Sequence, residues 1–180
     1  TAIASHADPV GAAHLRADQA AIDELWGRAK VIEMLGDKFK VTSSGLNFQS
    51  SKDVEGERYF LGLDRDGVPY FVAHRSTDQK DFPEDFKSLR TIGALLNSLE
   101  IGAAVHALAL TQWHEAHQKC AKCGASTHPT FAGAVRECDS CEASHHPRTD
   151  PAIIVLVKDS SDRILLGRQK IWPEKRFSTF

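Results

Sequence analysis

The sequence predicts an α+β chain: a small mixed α/β domain, a helical linker, a four-cysteine module, and the opening strands of a second α/β layer. Three observations predict it. Short runs of β-branched and aromatic residues, broken by glycine and aspartate turns, fill residues 30–73 behind one amphipathic helix. Apolar residues at helical spacing occupy residues 88–117, and all four cysteines then lie in two Cys-x-x-Cys pairs ahead of a continuous aliphatic run. The segments expected are 1–87, 88–119, 120–146 and 147–180.

The first helix is expected over Ala17 to Ala29, with Ile22, Leu25 and Trp26 on one face and Asp18 early, where the helix dipole favours a negative charge. Strands are expected over Lys30 to Leu35, Phe39 to Thr42 and Leu46 to Phe48, separated by Gly36-Asp37 and Ser43-Ser44-Gly45. Tyr59 to Leu63 and Val68 to Ala73 flank Asp64-Arg65-Asp66-Gly67, whose Asp-Gly signals a hairpin. Pro69 cannot donate to a sheet ladder, so it implies an edge strand or a late start. Asp78 to Phe86 is a polar connection containing Pro83. A short helix follows from Ser88, with Leu89, Ile92, Leu95 and Leu96 at helical spacing. Ser98 is expected to cap a longer helix running to His117, with Ile101, Val105 and Leu108 as its core stripe and Leu110 and Trp113 beside it.

Cys120-Ala-Lys-Cys123 and Cys138-Asp-Ser-Cys141 stand fourteen residues apart. That is the spacing of a Cys₄ zinc ribbon, in which each knuckle turns two thiolates toward one point. Such a tetrahedral site is closed to water, so its Zn²⁺ would serve folding and not chemistry. Gly124 suits the tight turn after the first knuckle. Two disulfides or a redox pair are the competing readings; no secretory signal supports the first, and the second has no use for the other pair. His114, His117, His128, His145 and His146 are alternative ligands that four thiolates do not require.

Composition sets only outer bounds. With 180 residues and 42% hydrophobic content the chain can bury a core, and its net charge of −2 gives no overall basic footprint for nucleic acid. No apolar run approaches the roughly 18–20 residues of a membrane helix, and a soluble, intracellular, cytoplasmic protein is expected. Starting at Thr1 and stopping at Phe180 within a pattern, the chain is expected to be a fragment.

Past the ribbon, Pro147-Arg148-Thr149-Asp150-Pro151 reads as extended, Ala152 to Val157 as a buried strand, and Ile164 to Gly167 as a second strand after the turn Ser160-Ser161-Asp162. Trp113-His114, the two knuckles, His146 to Pro151 and the strand after it, in this order and spacing, resemble the NADH pyrophosphatase family of Nudix hydrolases. The resemblance covers about Leu89 to Phe180 well and the amino-terminal HLRADQAAIDELWGRAKVIEML more loosely. It implies an amino-terminal domain, a zinc ribbon with Cys120, Cys123, Cys138 and Cys141 as ligands, and a Nudix α/β/α sandwich opening at 152–157 and 164–167, usually as a homodimer. It also implies cleavage of the pyrophosphate of NAD(H) to nicotinamide mononucleotide and AMP, or removal of NAD caps from RNA, with Mg²⁺ or Mn²⁺ at the catalytic domain.

One departure limits the functional expectation. The Nudix signature ending Arg-Glu-x-x-Glu-Glu-x-Gly is absent from these residues. Pyrophosphate hydrolysis needs divalent ions held by clustered carboxylates, which helical spacing sets on one face. Glu24 and Glu33, Glu55 and Glu57, and Asp81, Glu84 and Asp85 come nearest, and each reads as surface or loop. No catalytic residue is therefore assigned, and this chain alone is expected to be inactive; Arg168, Gln169 and Lys170 read equally as phosphate neighbours or as solvated strand-end charges. The alternative is a non-catalytic zinc-ribbon module in which Lys119, Lys122, Arg136 and Arg148 contact nucleic acid or a protein, although Glu137 and Asp139 offset them and Phe131 alone offers stacking. A diverged, inactive paralogue ending naturally here is disfavoured because Ile153, Val155 and Ile164 would stay exposed. Those residues are expected to pair with a second copy or a swapped element.

Overall fold

The computed structural model describes residues 14–148 and 153–179. It comprises two compact units, Thr1–Pro147 and Arg148–Phe180.

In the first unit, helix α1 (Gln19–Gly27) begins where the Asp18 carboxylate accepts the Ala21 N–H at 3.1 Å, and ends as the Arg28 N–H turns back to Leu25. Seven strands follow: β1 (Lys30–Leu35), β2 (Lys38–Thr42), β3 (Gly45–Leu46), β4 (Phe48–Ser50), β5 (Glu57–Leu63), β6 (Pro69–Arg75) and β7 (Phe86–Ser88). They form one sheet of order β3-β2-β1-β6-β5, with β4 pairing β1 and β7 pairing β2. β1 and β6 run parallel from Lys30↔Tyr70 to Leu35↔Arg75, and β5 and β6 make the hairpin across Asp64–Gly67. In its turn, Asp64 Oδ1 accepts the N–H groups of Asp66 and Val68.

Pro69 opens β6 between two partners, so of its two expected consequences the late start holds and the edge position does not. β7 takes in Phe86, expected as the end of the polar connection, and Ser88, expected to open a helix. The buried Phe86 anchors it, and Lys38↔Ser88 through Lys40↔Phe86 fix its register. The single strand expected over Leu46 to Phe48 is two short strands flanking Asn47.

The central strands are buried on both faces, and alternation decides which side chain meets which helix. Ile22 and Leu25 of α1 pack with Val31, Phe60, Phe71 and Ala73 on one face. Ile32, Met34, Phe39, Tyr59, Leu61 and Val72 face the other way, toward helix α3 (Ser98–Ala116). Burying a side chain such as Phe60 or Phe71 contributes about 2–3 kcal/mol.

A short helix α2 (Leu89–Ile92) and a 3₁₀ turn (Gly93–Leu95) lead into α3. Asn97, not Ser98, caps it. The Asn97 side chain accepts the Leu99 and Glu100 N–H groups, and Glu100 returns a carboxylate to the Asn97 N–H. The expected stripe of Ile101, Val105 and Leu108 is not the core face: Val105 is 46% exposed, and Ile101 and Leu108 are only partly buried. Ala103, Ala104, Ala107, Leu110, Thr111, Trp113 and His114 are buried instead. Small side chains let the helix backbone approach the sheet closely, and Thr111 satisfies its own hydroxyl by donating to Ala107 C=O at 2.9 Å.

In the second unit, residues 153–157 and 164–167 form no strand among the described residues; isolated bridges pair Lys158 with Ile164 and Gly167 with Ser178. The Leu165 N–H still donates to Val157 C=O at 2.9 Å, so the hairpin is present in outline. Its aliphatic side chains, Ile153 to Val157 and Ile164 to Leu166, are exposed. No layer covers them among the described residues, and without burial an apolar run has little reason to extend a ladder. Thr149 to Ala152, which include most of the expected extended join and the first residue of the strand, lie outside the described residues.

Candidate metal centre and its attachment

Three strands form the ribbon: β8 (Thr127–Thr130), β9 (Val135–Cys138) and β10 (Ser144–His145), in the order β10-β9-β8. Its two knuckles are near copies. The Cys120 N–H bonds Ala125 C=O and the Gly124 N–H bonds Cys120 C=O; the Cys138 N–H bonds Ala143 C=O and the Glu142 N–H bonds Cys138 C=O. In each, the residue after the second cysteine is left-handed, Gly124 at φ 78° and Glu142 at φ 56°. Glycine takes that conformation freely, whereas glutamate carries a steric penalty of about 1–2 kcal/mol.

The four sulfurs converge within 4.8 Å of one another. Cys120 and Cys141 stand 3.7 Å apart, and Cys123 and Cys138 stand 3.4 Å apart. A disulfide would need about 2.05 Å. A tetrahedral zinc with sulfurs about 2.3 Å away places them about 3.8 Å apart. The residues therefore fit one thiophilic divalent ion. Backbone N–H groups favour the thiolates: Lys122 donates to Cys120 at 3.3 Å, and Cys141 and Ser140 each donate to Cys138 at 3.4 Å. The last two, Cys141 first, hold the Cys138 thiol below its usual range, while the Cys123 thiol facing it, against the pull of the Ala125 N–H, is pushed up by Cys138 and Cys141, so one proton is shared across the pair until a metal displaces it.

Three of the nearby histidines are engaged elsewhere. His117 Nδ1 sits 2.9 Å from Trp113 C=O, and His128 Nδ1 sits 2.6 Å from an Asp139 oxygen. His114 is only 3% exposed, and its ring stacks on Tyr59 at 4.1 Å. Its Nε2 is 2.9 Å from Gly133 C=O, which can only accept, so Nε2 carries the proton and Nδ1 accepts from Arg136 Nη1 at 2.9 Å. Arg136 also donates to Thr127 Oγ1 and Thr127 C=O, at 2.8 and 2.6 Å. The alternative reading has Arg136 on the ribbon surface as a contact for nucleic acid or a protein. It is instead 5% exposed and spent on this joint, because a guanidinium is buried only where its fork of donors is satisfied.

The turn Phe131–Gly133 completes the attachment. Phe131, Ala132 and Gly133 are all left-handed, at φ 51°, 52° and 91°. Ala132 packs against the α1 face of the core, and a Cβ on Gly133 would stand 2.5 Å from Tyr59 Cδ1. Beside this joint a polar cleft of about 430 Å³ is lined by Glu57, Tyr59, His74, Glu115, Lys119 and Arg136. Its groups bond one another: the Tyr59 hydroxyl donates to Glu57, and His74 Nε2 lies 3.2 Å from Gly36 C=O and 3.4 Å from a Glu115 oxygen.

Among the described residues the four cysteines are the one group of three or more His, Cys, Asp or Glu side chains placed to hold a metal. Glu33, read as surface, is buried in β1. Burial pushes its carboxyl up, but Lys40, Gln49 and Arg75 outweigh that and hold it below the usual range. Arg168 closes a turn by donating to Trp172 C=O at 2.6 Å. Among the described residues no helix is long and apolar enough to cross a membrane.

No family model matches the chain. Among known proteins it is similar to the NAD-capped RNA hydrolase NudC of Mycobacterium tuberculosis, 38% identical over 98 residues, which cover 54% of this chain and 31% of that protein. It is also similar to the human mitochondrial NAD(P)H pyrophosphatase NUDT13, 33% identical over 118 residues, covering 66% of this chain and 33% of the relative. The mouse protein of the same name is 35% identical over 104 residues, covering 58% and 29%. The chain thus spans about a third of the length of these relatives.

Proposed function

These relatives support a place for the chain in the NADH pyrophosphatase family of Nudix hydrolases, and from that premise we propose that it is the metal-braced scaffold of an NAD(H)- or NAD-capped-RNA-hydrolysing enzyme. The observation that carries the proposal is the convergence of Cys120, Cys123, Cys138 and Cys141 on a sheet locked to the amino-terminal domain. Zn²⁺ held there supplies a tetrahedral cross-link and no open position for substrate. Cys120 and Cys138 are buried and hold their sulfurs by backbone donors; Arg136 and His114 join that cross-link to α3.

The reaction is cleavage of the pyrophosphate between the two nucleoside halves, with Mg²⁺ or Mn²⁺ at the carboxylates of a Nudix signature, which is absent from these 180 residues. This chain alone is accordingly inactive, and assembly as a homodimer belongs to the same proposal. The test is to incubate the purified chain with NADH, NAD or NAD-capped RNA and Mg²⁺ or Mn²⁺ and to follow AMP and nicotinamide mononucleotide release. No release is expected. Release abolished by substituting Glu57 or Glu115 would move the chemistry into the cleft and overturn the proposal. Light scattering tests the dimer.

The nucleic-acid-module reading is weakened by the burial of Arg136 and by Lys119, whose Nζ is 3.2 Å from Ser126 Oγ.

A further inference from the structure

The two near-symmetric knuckles differ in the side chain that follows them. Four residues beyond the second cysteine of each knuckle stand Thr127 and His145. Thr127 turns toward the joint, where its hydroxyl donates to His117 C=O at 2.8 Å and accepts from Arg136 Nε. His145 turns toward the metal centre: its Nε2 lies 3.3 Å from Cys120 Sγ. Strand pairing holds it there, since His145↔Arg136 is the last pair of β9 with β10.

A thiolate has no proton to give, so with Cys120 ionised the proton of this contact sits on His145 Nε2 and is donated to sulfur. Cys120 then accepts a side-chain N–H in addition to that of Lys122, whereas the donors to Cys138 are the backbone N–H groups of Ser140 and Cys141. Four thiolates around one divalent ion leave a net charge of about −2 in a site where Cys120 and Cys138 are buried, and each donor spreads part of that charge. The ring also fixes the direction of the Cys120 sulfur before the ion arrives. Nε2 carries the proton it would have to lose to become a ligand itself, and four sulfurs already complete the tetrahedron.

We propose that His145 is a positioning residue of the four-cysteine centre, raising its affinity for a thiophilic divalent ion by donating Nε2–H to Cys120 without binding the metal. This rests on the zinc reading above and deepens it. The experiment titrates the purified chain with Co²⁺ and with Zn²⁺ against a competing chelator, comparing wild type with His145→Phe and His145→Gln. His145→Phe keeps a ring and removes the donor, and is expected to lower affinity about tenfold. His145→Gln restores an N–H and is expected to recover part of the loss. Sulfur-to-cobalt charge transfer is expected to report four thiolates in all three proteins.

Unchanged affinity in His145→Phe would overturn the proposal while leaving the zinc reading intact. Equal loss in both variants would do the same, assigning His145 a packing role. A wild-type cobalt spectrum of three sulfurs and one nitrogen, turning to four sulfurs in His145→Phe, would make His145 a ligand and overturn it differently. No Co²⁺ or Zn²⁺ binding by wild type would overturn both readings.

Discussion

At the scale of single residues, the joint between α3 and the ribbon is a set of buried polar groups that are satisfied only together. Burial pushes His114 down to about 4 from an ordinary 6.5, the Gly133 carbonyl pulls the other way, and the Arg136 charge adds to the depression. His74 is pushed down by burial as well, against the pull of Glu115. For a histidine whose folded pKa is depressed, the unfolded chain takes up protons first as pH falls. The stability is whole above about 6.5 and is lost progressively toward about 4. Urea midpoints are therefore expected to fall through that window, less steeply in His114→Phe than in wild type. At neutral pH the same variant is expected to lose about 2–3 kcal/mol, because Gly133 C=O and an Arg136 N–H are left without a buried partner. Gly133→Ala, forced against Tyr59 at a left-handed position, is expected to cost about 3 kcal/mol. Glu142→Gly runs the other way and should add about 1 kcal/mol by relieving a left-handed glutamate. Thermal and urea unfolding check all three.

At the scale of elements, the bounds of β1 and the existence of the β5–β6 hairpin were legible because short β-branched and aromatic runs and an Asp-Gly turn are local signals, although β5 begins two residues earlier than expected, at Glu57, and β6 runs on to Arg75. The knuckles were legible for a similar reason, since two Cys-x-x-Cys pairs at ribbon spacing need no tertiary context to be recognised. The buried face of α3 was not. Alanines at 103, 104 and 107 look like mere helix formers, and only the closeness of the sheet turns them into the contact surface. The place of Arg136 was hidden for a related reason: nothing local announces that Nε, Nη1 and Nη2 each meet Thr127 or His114, nine and twenty-two residues away. β7 carries too few residues for a periodicity, and its pairing with β2 is a long-range fact. The cap of α3 was displaced by one residue, since both Asn97 and Ser98 are cap formers and Glu100 stands at the capping-box spacing only from Asn97. Asn97→Ala is expected to cost about 1 kcal/mol, whereas Ser98→Ala should be close to neutral. A denaturant comparison of the two variants tests which residue is the cap.

At the scale of the molecule, the seven-stranded sheet has its own core on both faces and does not draw on the cysteines. The ribbon has three short strands and no comparable core, so its order depends on the metal cross-link and on the joint. Chelation is thus expected to speed amide exchange across residues 120–145 while β1 and β6 stay protected; uniform loss of protection would show that the two parts unfold as one. The scaffold role proposed for the chain turns on the four thiolates gripping one ion. The direct measurement is the zinc content of the protein purified without added metal, beside a form with Cys120, Cys123, Cys138 and Cys141 all replaced by serine. One zinc per chain in the first and none in the second is the expected result. No zinc in the first, or zinc retained in the second, would contradict the account.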